Sequence, residues 1–372
     1  MLEGINVGRM GVAIQKRQVS LRGRGATHVP AGTIVHRQRD QAARPLWRTS
    51  DLAIAASLAA LLPAAWLLPE RSWWRLCRAV ARAPGLVDRA ALDRTIAGIV
   101  SGLQLDPRRA ADIALDLQAA VYELRMQTLR GWRPGGWHPE IALSGEEHIM
   151  RASARGNGVI LWVAHFAFNS GITKAALHER GYRVSHLSRP EHGFSKTRFG
   201  IGWLNPLRRI PEDRWLSERI VYDRRAPAIA MRRMARALAG GEIVSITAGA
   251  WEGSGIAEGP LLGGTLALAT GAPRLAALSG AVLLPVFAVR DRSHRFVVAI
   301  EAPIVPGEAQ EPADRGRAAA AEFLARHEPW VRGFPEQWRG WKEWRKASPA
   351  TEGAADSAAA SGRASEPRAA VS

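Results

Sequence analysis

The sequence has one cysteine, Cys77, among 372 residues. It can form no intrachain disulfide and no cysteine-based metal site, and the scarcity fits a reducing compartment. Lysine is almost as scarce. Lys16, Lys174, Lys196, Lys342 and Lys346 are the only lysines, against 51 lysines and arginines together, so arginine carries the net charge of +17. A charge of that size suggests an anionic partner, either nucleic acid or an acidic membrane surface. Abundant alanine and glycine accompany the arginine, as genome composition alone can produce, which weakens the charge as an argument. The first 50 residues lack an apolar stretch near the start, so no secretory signal is expected. Gly253-Ser-Gly255 and Gly263-Gly264 do not match a phosphate-binding loop. His178, His186, His192 and His294 lack metal-ligand spacing. The 14 tryptophans are scattered or near the ends, without the basic–aromatic clustering of a single-strand nucleic-acid platform.

What is present begins with an uncharged stretch, residues 52–69, between Asp51 and Glu70. It is rich in alanine and leucine and includes Pro63 and Trp66. A spanning helix needs roughly 20 apolar residues, so this one is marginal, and Pro63 would kink it. Arginines and lysines outnumber acids before it, and Arg71, Trp73, Trp74, Arg75 and Arg78 follow it. Such an aromatic and basic flank suits a lipid interface. The expectation is a membrane-associated helix over 52–68; the alternative is a core helix with a basic flank.

The chain is organised around Val159 to Gly171, VILWVAHFAFNSG. An apolar run behind a glycine turn reads as a strand buried on both faces. It ends at His165, and Asn169 or Ser170 is placed to cap a helix that Gly181 stops. His165 therefore falls at the carboxyl end of a strand, the edge where open α/β sheets bind ligands. A histidine there is either a general base or a structural residue bonded to nearby backbone. Ser170 as a nucleophile is a further option, with an N-cap the commoner role for such a serine.

Apolar spacing predicts a helix over Pro107–Arg130. Strands are expected at Tyr182–Leu187, Glu242–Thr247, Ala281–Val289 and Arg295–Ile300, and helices at Ala226–Leu238, Pro273–Leu278 and Pro312–His327. The alternation points to an α/β fold with a mixed sheet. Residues 347–372 are rich in Ala, Ser, Gly and Pro and are expected to be disordered. The division is then a basic tail, 1–50, a domain, 51–346, and a low-complexity tail.

Several features recur in a familiar order. After His165 come Ser188-Arg-Pro190, Gly241-Glu-Ile-Val-Ser245, the long apolar segment from Gly259 to Arg290, and Pro335-Glu-Gln-Trp338 with Trp341 and Trp344. Together they resemble the bacterial lipid A biosynthesis acyltransferases, the lauroyl and myristoyl transferases within the glycerolipid acyltransferase superfamily, over roughly Leu52 to Lys346. The resemblance implies a mixed, mostly parallel sheet flanked by helices. It implies transfer of an acyl chain from acyl carrier protein or acyl-CoA to a hydroxyl of an anionic membrane lipid or glycolipid, at the cytoplasmic face of the bacterial inner membrane. Neither a cofactor nor nucleic acid is called for. His165 would be the base, and Arg189 would hold an anionic group through paired hydrogen bonds.

One departure stands out. The family pattern has an Asp or Glu five residues after the histidine, and here that position is Ser170. Removing the negative partner of a base histidine costs on the order of 10⁴ in rate in serine-protease triads. Glu252 or Glu191 could supply a carboxylate from another loop, and Asn169 could orient the ring without charge. A non-catalytic lipid-binding homologue is the rival reading, and a carboxylate on His165 would separate the two.

Overall fold

Val159, Leu161 and Val163 pack into one hydrophobic core while Ile160, Trp162 and Ala164 pack into another. That division explains the uninterrupted apolar run: every residue of this strand, β2 (Val159–Val163), is buried. Each large aliphatic side chain so placed contributes roughly 1.5–3 kcal/mol. The structure is a computed structural model describing residues 44–83, 88–223, 225–249, 255–291, 293–305 and 312–346. Residues 1–43, the tail 347–372, Glu252 and the Ser170 side chain lie outside the described part.

Strand β2 is central. Parallel neighbours flank it, β5 (Ile243–Thr247) on one side and β8 (Val282–Arg290) on the other. Beyond β5 lie β3 (Val184–Ser188) and β4 (Glu218–Val221), again parallel. Beyond β8 lies β9 (Phe296–Ile300), antiparallel to it, and then β1 (Ile141–Ser144), parallel to β9. The result is a mixed, mostly parallel sheet of 7 strands in the order β1-β9-β8-β2-β5-β3-β4, as the sequence implies.

Helices α5 (Glu146–Ser153) and α6 (Asn169–Glu179) contribute to the core on the Leu161 face. On the Trp162 face the core takes in α8 (Pro227–Ala239), α9 (Gly271–Ser279) and α10 (Pro312–Gly333). A second sheet, in the order β10-β7-β6, joins that side through β6 (Ile256–Leu261), β7 (Gly264–Ala269) and the short β10 (Arg345–Lys346).

The amino-terminal layer is helical: α1 (Thr49–Leu67), α2 (Trp73–Arg82), α3 (Arg89–Leu103) and α4 (Pro107–Arg130). Helix α4 starts where the sequence predicts. Asp106 caps it by accepting from the N–H groups of Arg108 and Arg109, both at 3.0 Å, and Pro107 fills the first turn. Leu58, Leu61, Trp73, Cys77, Tyr122 and Met126 form its core with α1 and α2. Burial pushes the Cys77 thiol up to about 12, so it is an inert core residue.

Helix α1 is tied to the rest of the domain at both ends. At its start the buried carboxylate of Asp51 accepts from Ser195 Oγ at 2.5 Å and Thr197 Oγ1 at 2.8 Å. Gly200 makes this corner possible, since a Cβ there would lie 2.1 Å from that of Ser195. At its end Arg130 donates to the carbonyls of Ala65 and Leu68, satisfying groups a helix terminus leaves open. The helix continues through Pro63.

Some expectations change. Trp73 is buried in the helical layer, so it is not an interfacial anchor, while Trp74 is half-buried with the Arg290 guanidinium over its ring. Exposed aromatic residues near α1 include Trp47 at 54% and Trp203 at 73%. Helix α6 has Phe168, not Asn169 or Ser170, at its N-cap position, and the Asn169 amide donates to the carbonyl of Ala164.

Candidate active site

His165 leaves the carboxyl end of β2 and enters a loop that backbone bonds hold on two sides. From within the sheet, Ala164 N–H donates to Val286 at 2.8 Å, and the Val163 carbonyl accepts from Ala248 at 2.7 Å. From the carboxyl-terminal segment, Phe166 forms an antiparallel bridge with Trp338. Ala167 N–H donates to the Gln337 carbonyl at 2.7 Å, and Arg339 N–H donates to the His165 carbonyl at 3.1 Å. The Pro335–Trp338 motif is thus a latch over the histidine loop. Gly340 belongs to the same turn, where a Cβ would lie 2.3 Å from the Trp338 indole.

The imidazole borders a small cavity of ≈ 30 Å³, shared with Ala248, Phe323, His327, Trp338 and Glu343. That is room for about one water. Burial pushes the His165 pKa well below its ordinary value of 6.5, and the charges of Arg339, Arg189 and Arg208 push it further the same way. At neutral pH the ring is therefore unprotonated, the form a general base requires. Burial and these cationic charges both disfavour the imidazolium.

Arg189 follows β3 directly, and its charge reaches His165. Asn169 lies close by, but its Nδ2 donates to the Ala164 carbonyl at 3.0 Å, so it braces the loop. Ser170 is the second residue of α6. Glu191 accepts from Arg44.

Four participants are not evident from sequence. Arg339 directly follows the Pro335–Trp338 motif, and burial lowers its pKa to about 10, with Arg208 contributing. Its position beside that motif is a usable signal. Arg208, on α7 (Asn205–Asp213), gives none, because nothing in sequence places α7 near β2. Glu343 and His327 border the cavity without a motif in the sequence to mark them.

Glu212, also on α7, organises the buried charge next to this site. It accepts from Lys174 Nζ at 3.0 Å, His192 Nε2 at 2.8 Å, Arg208 Nε at 2.9 Å and Arg219 Nη2 at 3.1 Å. Burial opposes its ionisation, but Lys174, His192 and Arg208 outweigh it and hold the carboxyl well below the usual range. Burial brings Lys174 down to about 8. Among the described residues no cluster of His, Cys, Asp and Glu is arranged to hold a metal ion.

The model of the bacterial lipid A biosynthesis acyltransferases matches residues 53–342. The chain belongs to that family. As a family member it is an acyltransferase acting on lipids. No curated protein matches the sequence. Among solved structures, the 1-acyl-sn-glycerophosphate acyltransferase PlsC from Thermotoga maritima is similar at 14% identity, with 65% of this chain and 92% of that one covered and a TM-score of 0.32.

A basic groove lies apart from the His165 cavity. Arg71, Arg75, Arg78 and Arg82 line it with His294. Arg78 and Arg82 share Asp116 at 2.8 and 3.1 Å, so part of its charge is neutralised.

Proposed function

We propose that this acyltransferase moves a fatty acyl group from a thioester carrier to a hydroxyl of a membrane glycolipid of the lipid A type. The observation that carries the reading is the neutral imidazole of His165 at a strand end, bordering a cavity and under the field of three arginines. A lipid hydroxyl, with a pKa far above 7, attacks a thioester as its proton is drawn away, and His165 takes that proton. Arg189 and Arg339 hold an anionic group of donor or acceptor, while Glu212 braces Arg208 beside them. The cavity has room for one water-sized group, which the thioester carbonyl oxygen fills, and the acyl chain lies outside it. The donor is acyl carrier protein or acyl-CoA, both of which carry a phosphate on the arm that bears the thioester.

The membrane is met through α1. Leu52, Leu62 and Leu67 are exposed along it, and Asp51 keeps its start pinned to the domain. The helix lies on the cytoplasmic leaflet of the inner membrane, with Trp47 and Trp203 at the headgroup level.

A second reading has one observation in its favour. Serine stands at the motif's acidic position, and burial and cationic neighbours disfavour a charged His165, as in a lipid-binding homologue without catalysis. The deciding experiment incubates the full chain with labelled acyl carrier protein or acyl-CoA and a panel of lipid acceptors, beside lipid profiles of a deletion strain. Acyl transfer and a missing acylated lipid support the enzyme. A normal profile with no transfer, alongside tight lipid binding, supports the rival.

A further inference from the structure

His327 occupies a core position of α10 that an apolar residue would fill without cost. Ala319, Ala320, Phe323, Leu324 and Val331 of the same helix are all buried in the core on the Trp162 face. His327 is only 2% exposed, and neither Nδ1 nor Nε2 has a hydrogen-bond partner. Buried polar groups are ordinarily bonded, and leaving one unsatisfied destabilises the fold. The ring is also held in place. Phe166, Phe287, Phe323 and Trp338 surround it, with centroids 5.4, 5.8, 5.7 and 5.7 Å away. The unpartnered ring borders the same cavity as His165.

We propose that His327 is a second catalytic residue, whose ring N–H donates a hydrogen bond to the thioester carbonyl oxygen as that oxygen becomes negative. The inference rests on the acyltransferase reading and extends it. The acceptor hydroxyl oxygen bonds to the carbonyl carbon while its proton passes to His165. The carbonyl electron pair moves onto oxygen, where the His327 N–H meets it. On collapse the C–S bond breaks, and the leaving sulfur takes the proton back from His165. Burial holds the His327 pKa at about 3, so the ring stays neutral at physiological pH, with one nitrogen a donor. A donor fixed among aromatic rings needs little reorganisation when charge develops, and such donors carry large effects.

The test uses the full chain with His327→Phe, which keeps an aromatic ring and removes both nitrogens, and His327→Gln, which restores an N–H. For the Phe variant we expect kcat to fall by about 10²–10³, KM to change little, and Tm to rise by a few degrees as two unsatisfied atoms disappear. The Gln variant should recover part of the lost kcat. A His327→Phe protein with kcat within a few-fold of wild type would overturn the proposal and leave a packing residue. Nitrogen-15 spectra of the histidine-labelled chain, titrated with a lauroyl thioester of pantetheine, give a readout that needs no turnover. A shift of the His327 ring nitrogens supports the contact, and unchanged nitrogens overturn it. Wild-type inactivity with all donors would count against the acyltransferase reading instead, and the spectra would still decide His327.

Discussion

Gln337 and Arg290 bind each other through two hydrogen bonds. The Arg290 N–H donates to Gln337 Oε1 and Gln337 Nε2 donates to the Arg290 carbonyl, both at 2.8 Å. A side-chain amide thus replaces a neighbouring strand at the end of β8, and the same residue's backbone carbonyl holds Ala167 in the histidine loop. The Gln337→Leu variant should strand two buried backbone groups at about 1–3 kcal/mol each. Expected outcomes are a lower Tm and a kcat reduced at least tenfold, with His165 displaced from its loop position. Thermal melts and steady-state kinetics on one preparation check both.

Burial and three guanidinium charges depress His165, which fixes the shape of the pH profile. The base is active when unprotonated, so kcat/KM should stay level as pH falls to about 6.5 and decline only at more acidic values. Removing a positive neighbour favours the imidazolium, so Arg339→Gln should move that acid limb to higher pH. An Arg189→Lys variant keeps its charge and loses the fork-like geometry; its limb should stay in place while KM rises.

Glu212 stabilises four cationic or ionisable partners, and deleting it strands them. The Glu212→Ala variant should lose about 3–5 kcal/mol of stability, read as a shift in denaturation midpoint. Because the folded-state pKa lies below its unfolded value, the stabilisation is complete above roughly pH 4.5. It is lost as pH falls through the folded value. The Glu212→Gln variant should therefore show a weaker dependence of stability on pH in that acid range.

Helix α1 should bring the protein to membranes. Intact protein is expected in the inner-membrane fraction, and removal of residues 1–80 should release or precipitate it. Exchanging the exposed aromatics, Trp47→Ser with Trp203→Ser, should weaken binding to anionic vesicles at least tenfold while far-ultraviolet circular dichroism stays unchanged. Retention after a high-salt wash marks apolar insertion, since salt screens surface attraction.

The sheet is legible in sequence where strands are buried on both faces, because a short, continuous apolar run bounded by turn residues suits a central strand. Strands β2, β5 and β8 show this pattern, and α4 shows its apolar spacing. The β6–β7 hairpin does not announce itself. Its turn puts Leu262 and Gly263 at φ values of 53° and 67°, a geometry that favours Asn-Gly. Leu262 tolerates it because its side chain is buried and its N–H donates to Glu328 at 2.8 Å, a partner from α10. Strand β1, at four residues, and helices α5 and α7 are too short to carry a period. At the site, His165 and Arg189 are legible because each follows a strand. Arg208 and His327 come from elements whose approach to β2 is set by tertiary packing, and Glu343 lies in a turn between two tryptophans that gives no local signal.

The most direct test of the central claim measures acyl transfer by wild type, His165→Ala and Ser170→Glu chains in parallel, with a lauroyl carrier-protein thioester and lipid A precursors as acceptors. A general base at His165 predicts transfer by wild type and loss by at least 10³ in His165→Ala. Ser170→Glu should be faster than wild type, since a carboxylate in the first turn of α6 stabilises the imidazolium and suits the helix dipole. Equal rates for wild type and His165→Ala would contradict it.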